Sequence, residues 1–158
     1  MTDAINPLVF YTFIKTRDEA ASLQDKLTII SADLFKSDKT IAEVIGQRLP
    51  SGKIGMIQAI ADKYNVNQDN KSDMQELLQQ INDAIDDLPL AHLIIAIDPN
   101  VQTVQAIHHW FYRTLKKPAV IDIDVDPSLI AGSVISFNGK LRDYSLKRVL
   151  MNELLVKN

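Results

Sequence analysis

The sequence predicts an α+β chain: an amino-terminal helical bundle of about five helices, then a small α/β domain with a mixed sheet of about four strands. Three observations predict it. Up to residue 88, apolar residues recur at three- and four-residue steps, the period of a helix with one buried face. Beyond Pro89 they gather instead into short β-branched runs bounded by Pro, Asn and Gly, the look of buried strands. The change of period falls at residues 86–90 and divides the 158 residues into domains 1–88 and 89–158, a length that suits one domain or two small ones.

The elements follow in order. Leu8, Phe10, Tyr11, Phe13 and Ile14 form a short apolar segment behind Pro7, read as a first helix. Thr16 and Glu19 have capping-box spacing, and Ala20, Leu23, Leu27, Ile30 and Leu34 then share one face of a second. Ile41, Val44, Ile45 and Leu49 mark a third, which Pro50 stops. Ile57, Ile60, Ala61 and Tyr64 mark a fourth, which dissolves in the polar stretch from Asn65 to Lys71. A second box, Ser72 and Gln75, opens a fifth, whose stripe runs Met74, Leu77, Leu78, Ile81, Ile85 and Leu88 up to Pro89.

In the second half, Leu90 to Ile97 predicts a buried strand, and Asp98-Pro99-Asn100 opens a helix with Val104, Ile107, Phe111 and Leu115 inward. Val120 to Val125 predicts a strand on which Asp122, Asp124 and Asp126 alternate onto one face. Gly132 to Phe137 predicts a third strand, and Asn138-Gly139 is a strong hairpin signal that returns the chain through Lys140 to Tyr144. A last helix from Ser145 carries Leu146, Val149, Leu150 and Leu154.

Composition excludes several functions. Hydrophobic residues are 46% and charged ones 23%, which is globular and neither disordered nor rod-like. The net charge of −3 leaves no cationic surplus for a phosphate backbone or a membrane face, so nucleic acid is not an expected partner. With no Cys, disulfides, thiolate ligands and a Cys nucleophile are out, and a reducing compartment is expected. The start of the chain fits neither a secretory signal nor a transit peptide, and no apolar run approaches the roughly 20 residues of a membrane helix. Membrane association is expected only through partners.

Few residues are spaced for chemistry. Gly52-Lys53-Ile54-Gly55 matches the G-x-x-G of KH modules, but the flanking strands are missing, and the stretch reads as a helix-capping turn after Pro50. His108 and His109 are adjacent on a helix and point about 100° apart, unlike an i, i+4 metal pair. His92 sits inside an apolar strand as a structural histidine. No nucleophile, base and oxyanion site assemble, so the expectation is a protein that is not an enzyme, with no catalytic residue, cofactor or metal assigned. The alternative is a magnesium-binding α/β regulatory or enzymatic domain using Asp98 with Asp122, Asp124 and Asp126.

The carboxyl-terminal third is more specific. Val125-Asp126-Pro127-Ser128-Leu129-Ile130-Ala131-Gly132-Ser133-Val134-Ile135-Ser136-Phe137, continued by Asn138-Gly139-Lys140-Leu141-Arg142-Asp143-Tyr144-Ser145-Leu146-Lys147-Arg148-Val149-Leu150, resembles the signature of the delta subunit of F-type ATP synthases. The mitochondrial counterpart is the oligomycin-sensitivity-conferring protein. Gly132 suits tight entry into a strand, Asn138-Gly139 closes the hairpin, and Ser145 caps the final helix. Ala131 stands where the family has the first of two Gly, and Tyr144 replaces the Gly of Asp-Gly-Ser. The family's bundle has six helices, and the shortfall here lies between residues 65 and 72.

The resemblance implies a non-catalytic subunit of the peripheral stalk, the stator that resists rotation. Its helical half would grip the amino-terminal segments of the alpha subunits. Its α/β half would hold the b-type stalk subunits at the cytoplasmic side of a bacterial plasma membrane. The residues expected to meet partners are Leu8, Tyr11 and Ile14 on the bundle and Met151, Leu154 and Leu155 on the last helix.

Overall fold

A computed structural model describes residues 4–36, 38–116 and 118–156, with the backbone alone at Leu115, Leu155 and Val156. The chain forms two compact units. One comprises Met1–Ile14 and Asp18–Leu88, the other Lys15–Arg17 and Pro89–Asn158.

The helical unit opens on a single 3-10 helix, Pro7–Phe10, where a full first helix is expected. Asn6 caps it by accepting from the Leu8 amide at 3.0 Å. The stretch from Val9 to Ile14 is β-branched and aromatic, with weak helix propensity, and the chain turns on itself as the Ile14 amide reaches Phe10 O at 2.8 Å. Helix α1, Arg17–Asp33, buries Ala20, Leu23, Leu27 and Ile30.

Helix α2, Ile41–Arg48, starts with a capping box that the sequence reading passes over. Thr40 Oγ accepts from Glu43 N at 3.3 Å, and the Glu43 carboxylate accepts from Thr40 N at 2.8 Å. These donors hold the Glu43 carboxyl below its ordinary range. Pro50 caps helix α3, Ser51–Lys63, so Gly52 and Gly55 lie in helix and not in the expected turn. Pro fits there because the first helical amides need no intrahelical partner.

Asn65, with φ +54°, ends α3 in the left-handed region. Helix α4, Lys71–Asp86, begins at Asn70 and not at Ser72: Asn70 Oδ1 accepts from the Ser72 and Asp73 amides at 2.9 and 3.3 Å. An Asn caps at least as well as a Ser, and here it comes first. The predicted stripe of α4 is buried from Met74 to Ile85. Gln24 of α1 donates to Asp86 at 2.8 Å, and Arg48 of α2 pairs with Asp33 at 2.8 Å.

The second unit is built on a four-stranded mixed sheet: β1 Leu90–Ile95, β2 Val120–Val125, β3 Ser133–Phe137 and β4 Lys140–Asp143, in the order β2-β1-β3-β4. Strand β1 is central, parallel to β2 with His92 opposite Asp122, and antiparallel to β3 with Leu93 opposite Ile135. It stops at Ile95, two residues short of the expected end, where both pairings run out. Helix α5, Val101–Leu115, connects the parallel pair and is capped by Asn100, which accepts from Thr103 N at 2.8 Å. Alternation places Ala91, Leu93 and Ile121 under Phe111 of α5, all at most 3% exposed. Residues 15–17 lie along the outer edge of β2: Thr16 bridges Ile121 in parallel, and the Ile121 amide reaches Lys15 O at 2.9 Å. They cover an edge that would otherwise offer unpaired backbone.

Asn138 and Gly139 both have positive φ, +49° and +72°, as a two-residue type I′ hairpin requires. Helix α6, Leu146–Val156, follows the hairpin. Residues 131–133 are pressed against residues 144–146: the Tyr144 amide reaches Ser133 O at 2.8 Å and the Leu146 amide reaches Ala131 O at 2.9 Å. Gly132 sits between them at φ +83°, where a Cβ would collide with the Tyr144 carbonyl. Gly132→Ala is therefore expected to cost about 2–4 kcal/mol in urea denaturation. Gly55→Ala, in an α3 position open to solvent, should instead gain up to about 1 kcal/mol. Equal effects would contradict this account of Gly132.

Candidate functional site

The sheet unit carries an apolar groove of about 500 Å³ beside α5. Strand alternation brings Leu93 and Ile95 of β1 and Ile135 of β3 to one face, and Ile107 and Trp110 line it from α5, with Tyr144 at one end. Trp110 stays 50% exposed although it packs edge-on against Phe111, ring centres 5.1 Å apart. A large aromatic half in water, over an apolar floor, is the usual form of a contact surface for another protein.

Helix α6 offers a second apolar surface. Its start is fixed by local chemistry: the Ser145 amide reaches the Asp143 carboxylate at 2.8 Å, and Ser145 Oγ accepts from Arg148 N at 3.2 Å. The Ser145 hydroxyl and amide, with smaller help from Arg148 and Lys147, hold the Asp143 carboxyl below its ordinary range. Leu146, Leu150 and Leu154 recur at four-residue steps, and with Val149 and Met151 all are at least 40% exposed. Met151 and Leu154 are thus on the surface. Leu155 is in α6, but its side chain lies outside the described residues.

On the helical unit, Leu8 is 50% exposed and Tyr11, one turn on, is half-buried. Ile14 is 2% exposed and belongs to the core, so it offers no surface to a docked helix, and the structure does not group the three. A separate cleft of about 340 Å³ is lined by Ile41, Ile45, Ile54, Ile57, Lys71 and Met74.

The acidic residues of the magnesium alternative are not gathered into one site, although Asp122 and Asp124 share a face of β2. Asp122 is paired with Arg17 at 3.0 Å, and His92 lies 3.4 Å from both Asp122 and Asp124. Asp126 leaves the strand to cap the 3-10 helix Pro127–Leu129, accepting from the Ser128 amide and hydroxyl at 2.9 Å, and these donors lower its pKa. Asp98 is exposed beyond the end of β1. Among the described residues no three His, Asp or Glu side chains are placed to hold a metal ion, and no helix is long and apolar enough to cross a membrane.

No protein-family model matches the sequence. No curated protein matches it. Among solved structures, a chain of the Polytomella F-ATP synthase, determined by electron cryomicroscopy in primary rotary state 3, is similar. It is 16% identical, aligns with 45% of this chain and 99% of its own length, and gives a TM-score of 0.36. At that identity and score the likeness carries no argument.

The groove is what sequence reasoning missed. A signal existed: in α5, Trp110 extends the apolar set beyond the inward stripe of Val104, Ile107 and Phe111, which widens it past what one sheet face covers. The cap of α6 generates a pH prediction. A folded-state pKa below the ordinary 3.8 means that the Asp143 cap favours folding above that value and is lost as pH falls through the depressed one. Amide exchange at the start of α6 is expected to accelerate in that acid range beyond the intrinsic change. In Asp143→Ala it should be fast at neutral pH and lose this acid step; an unchanged profile would contradict the cap.

Proposed function

We propose that this chain is a delta-type stator subunit of an F-type ATP synthase, a tether and not a catalyst. The observation that carries the reading is the use the fold makes of the residues on which the family resemblance rests. Gly132 permits a backbone approach that excludes a Cβ, Asn138-Gly139 forms the hairpin turn, and Ser145 caps the last helix. Three positions of one motif, each filling a distinct backbone role, favour a shared architecture over a chance run of similar letters.

In this reading the helical unit holds the amino-terminal segments of the alpha subunits, with Leu8 and Tyr11 at its surface. The sheet unit holds the end of the b-type stalk helices, with Met151 and Leu154 of α6 in contact. The chain works at the cytoplasmic side of a bacterial plasma membrane and reaches the membrane through those partners. Rotation of the central shaft exerts torque on the catalytic head, and a head free to follow the shaft makes no ATP. Helix-in-groove contacts, built from exposed apolar side chains, supply such a tether without any reactive group. The pairing of Asp122 with Arg17 and the capping role of Asp126 weigh against the magnesium reading.

A tagged full-length chain, purified from its own cells in mild detergent, is expected to bring alpha and b-type ATP synthase subunits with it. Recovery of neither would contradict the reading. Leu154→Glu changes a 64% exposed side chain, so it should leave stability within about 0.5 kcal/mol. It should still cut recovery of the b-type subunit several-fold, a cost of more than about 1 kcal/mol, while alpha recovery holds.

A further inference from the structure

The two units differ in charge. The sheet unit carries ten Lys and Arg against six Asp and Glu, a net +4, and the helical unit seven against fourteen, a net −7. The mild overall acidity of the chain thus hides a basic module. Part of that excess surrounds the apolar groove. Arg142 is the register partner of Ile135, which lines the groove, and Lys140 is the partner of Phe137. Paired residues on neighbouring strands share a face, so both cations lie on the groove side of β4. Arg113 follows Trp110 by three residues in α5, which places it one turn along the same side of the helix. All three are exposed. Four of the six acidic side chains of this unit are placed elsewhere: Asp122, Asp124 and Asp143 alternate onto the opposite sheet face, and Asp126 is engaged by Ser128.

We infer that the groove beside Trp110 binds a partner's amphipathic helix whose apolar stripe is flanked by Asp and Glu. The apolar floor of Leu93, Ile95, Ile107 and Ile135 takes the stripe, with Trp110 and Tyr144 closing over it as the water-excluding anchors. Arg113, Lys140 and Arg142 set the sign of the flanks. Exposed cations contribute little to affinity against a neutral partner but penalise a basic one, so their main product is selectivity. The inference rests on the docking role proposed for this unit and specifies its partner's chemistry.

Trp110 is the sole Trp of the chain, so its fluorescence reports on the groove alone. The test uses the full chain and two synthetic peptides of about five helical turns. They share one Leu stripe and contain no Trp or Tyr; one has Glu and Gln on its polar face, the other Lys and Gln. The expected result is a saturable blue shift with the Glu peptide at least about tenfold tighter than with the Lys peptide at low salt. That gap should shrink in about 1 M salt, where screening acts within roughly 3 Å. The double variant Lys140→Glu, Arg142→Glu, its fold checked by circular dichroism, should reverse the preference. Equal affinity for both peptides, or no shift with either up to about 1 mM, would overturn the inference. So would a blue shift on concentrating the chain by itself, which would make a second copy the occupant. The two readings fail separately. Glu-peptide selectivity without recovery of ATP synthase subunits sinks the stator role alone, and recovery of those subunits without charge selectivity sinks this inference alone.

Discussion

The close approach of two backbone stretches, residues 131–133 and 144–146, is the constraint on which the apolar groove of the sheet unit depends. It requires a residue without Cβ at a positive φ, and Gly132 meets both conditions. Once the stretches are joined, the β3–β4 hairpin is closed at its open end as well as at Asn138-Gly139. Ser145 is buried where it can cap α6, and Tyr144 lines the groove. The sheet order adds the other half of the surface. Because β1 is central, with β2 on one side and β3 on the other, α5 covers part of one face and leaves an uncovered apolar margin above β1 and β3.

Both units combine a well-buried interior with exposed apolar side chains in ordered secondary structure. Leu23, Leu27, Ile30, Leu77 and Ile81 are fully buried in the helical unit, while Leu8 of the 3-10 helix is half in water. The sheet unit shows the same contrast between Ile121 and the leucines of α6. Scattered apolar exposure is normal, but a regular stripe on a capped helix is a surface with a consequence: it favours association with another apolar stripe. Among the described residues, Glu43, Asp126 and Asp143 have carboxyls held below their ordinary range, each at the start of a helix and each by donors that are neighbours in the chain. These carboxylates serve backbone geometry.

Much of this was legible in the sequence, for reasons that can be traced to particular residues. The stripes of α1 and α4 repeat over four turns, so their period could not be mistaken for another. Asn138-Gly139 named its turn because few residue pairs accept two positive φ values. What escaped was either balanced locally or decided at a distance. The segment from Leu8 to Ile14 has apolar spacing that suits a helix and side chains that resist one, and the 3-10 helix is the outcome. Ile14 has the spacing of a surface anchor, yet it is core. The pairing of Thr16 with Ile121 joins residues far apart in sequence, and the groove draws on residues from Leu93 to Tyr144, so neither has a local signature.

The proposed role is mechanical, a tether that holds the catalytic head against the torque of the shaft. Inverted membrane vesicles from its own cells, with the chain deleted and then added back as purified protein, test this most directly. The account predicts that without the chain ATP hydrolysis by the heads continues while ATP-driven proton pumping is lost, and that adding the chain restores pumping. Pumping that is unchanged by the deletion would contradict it.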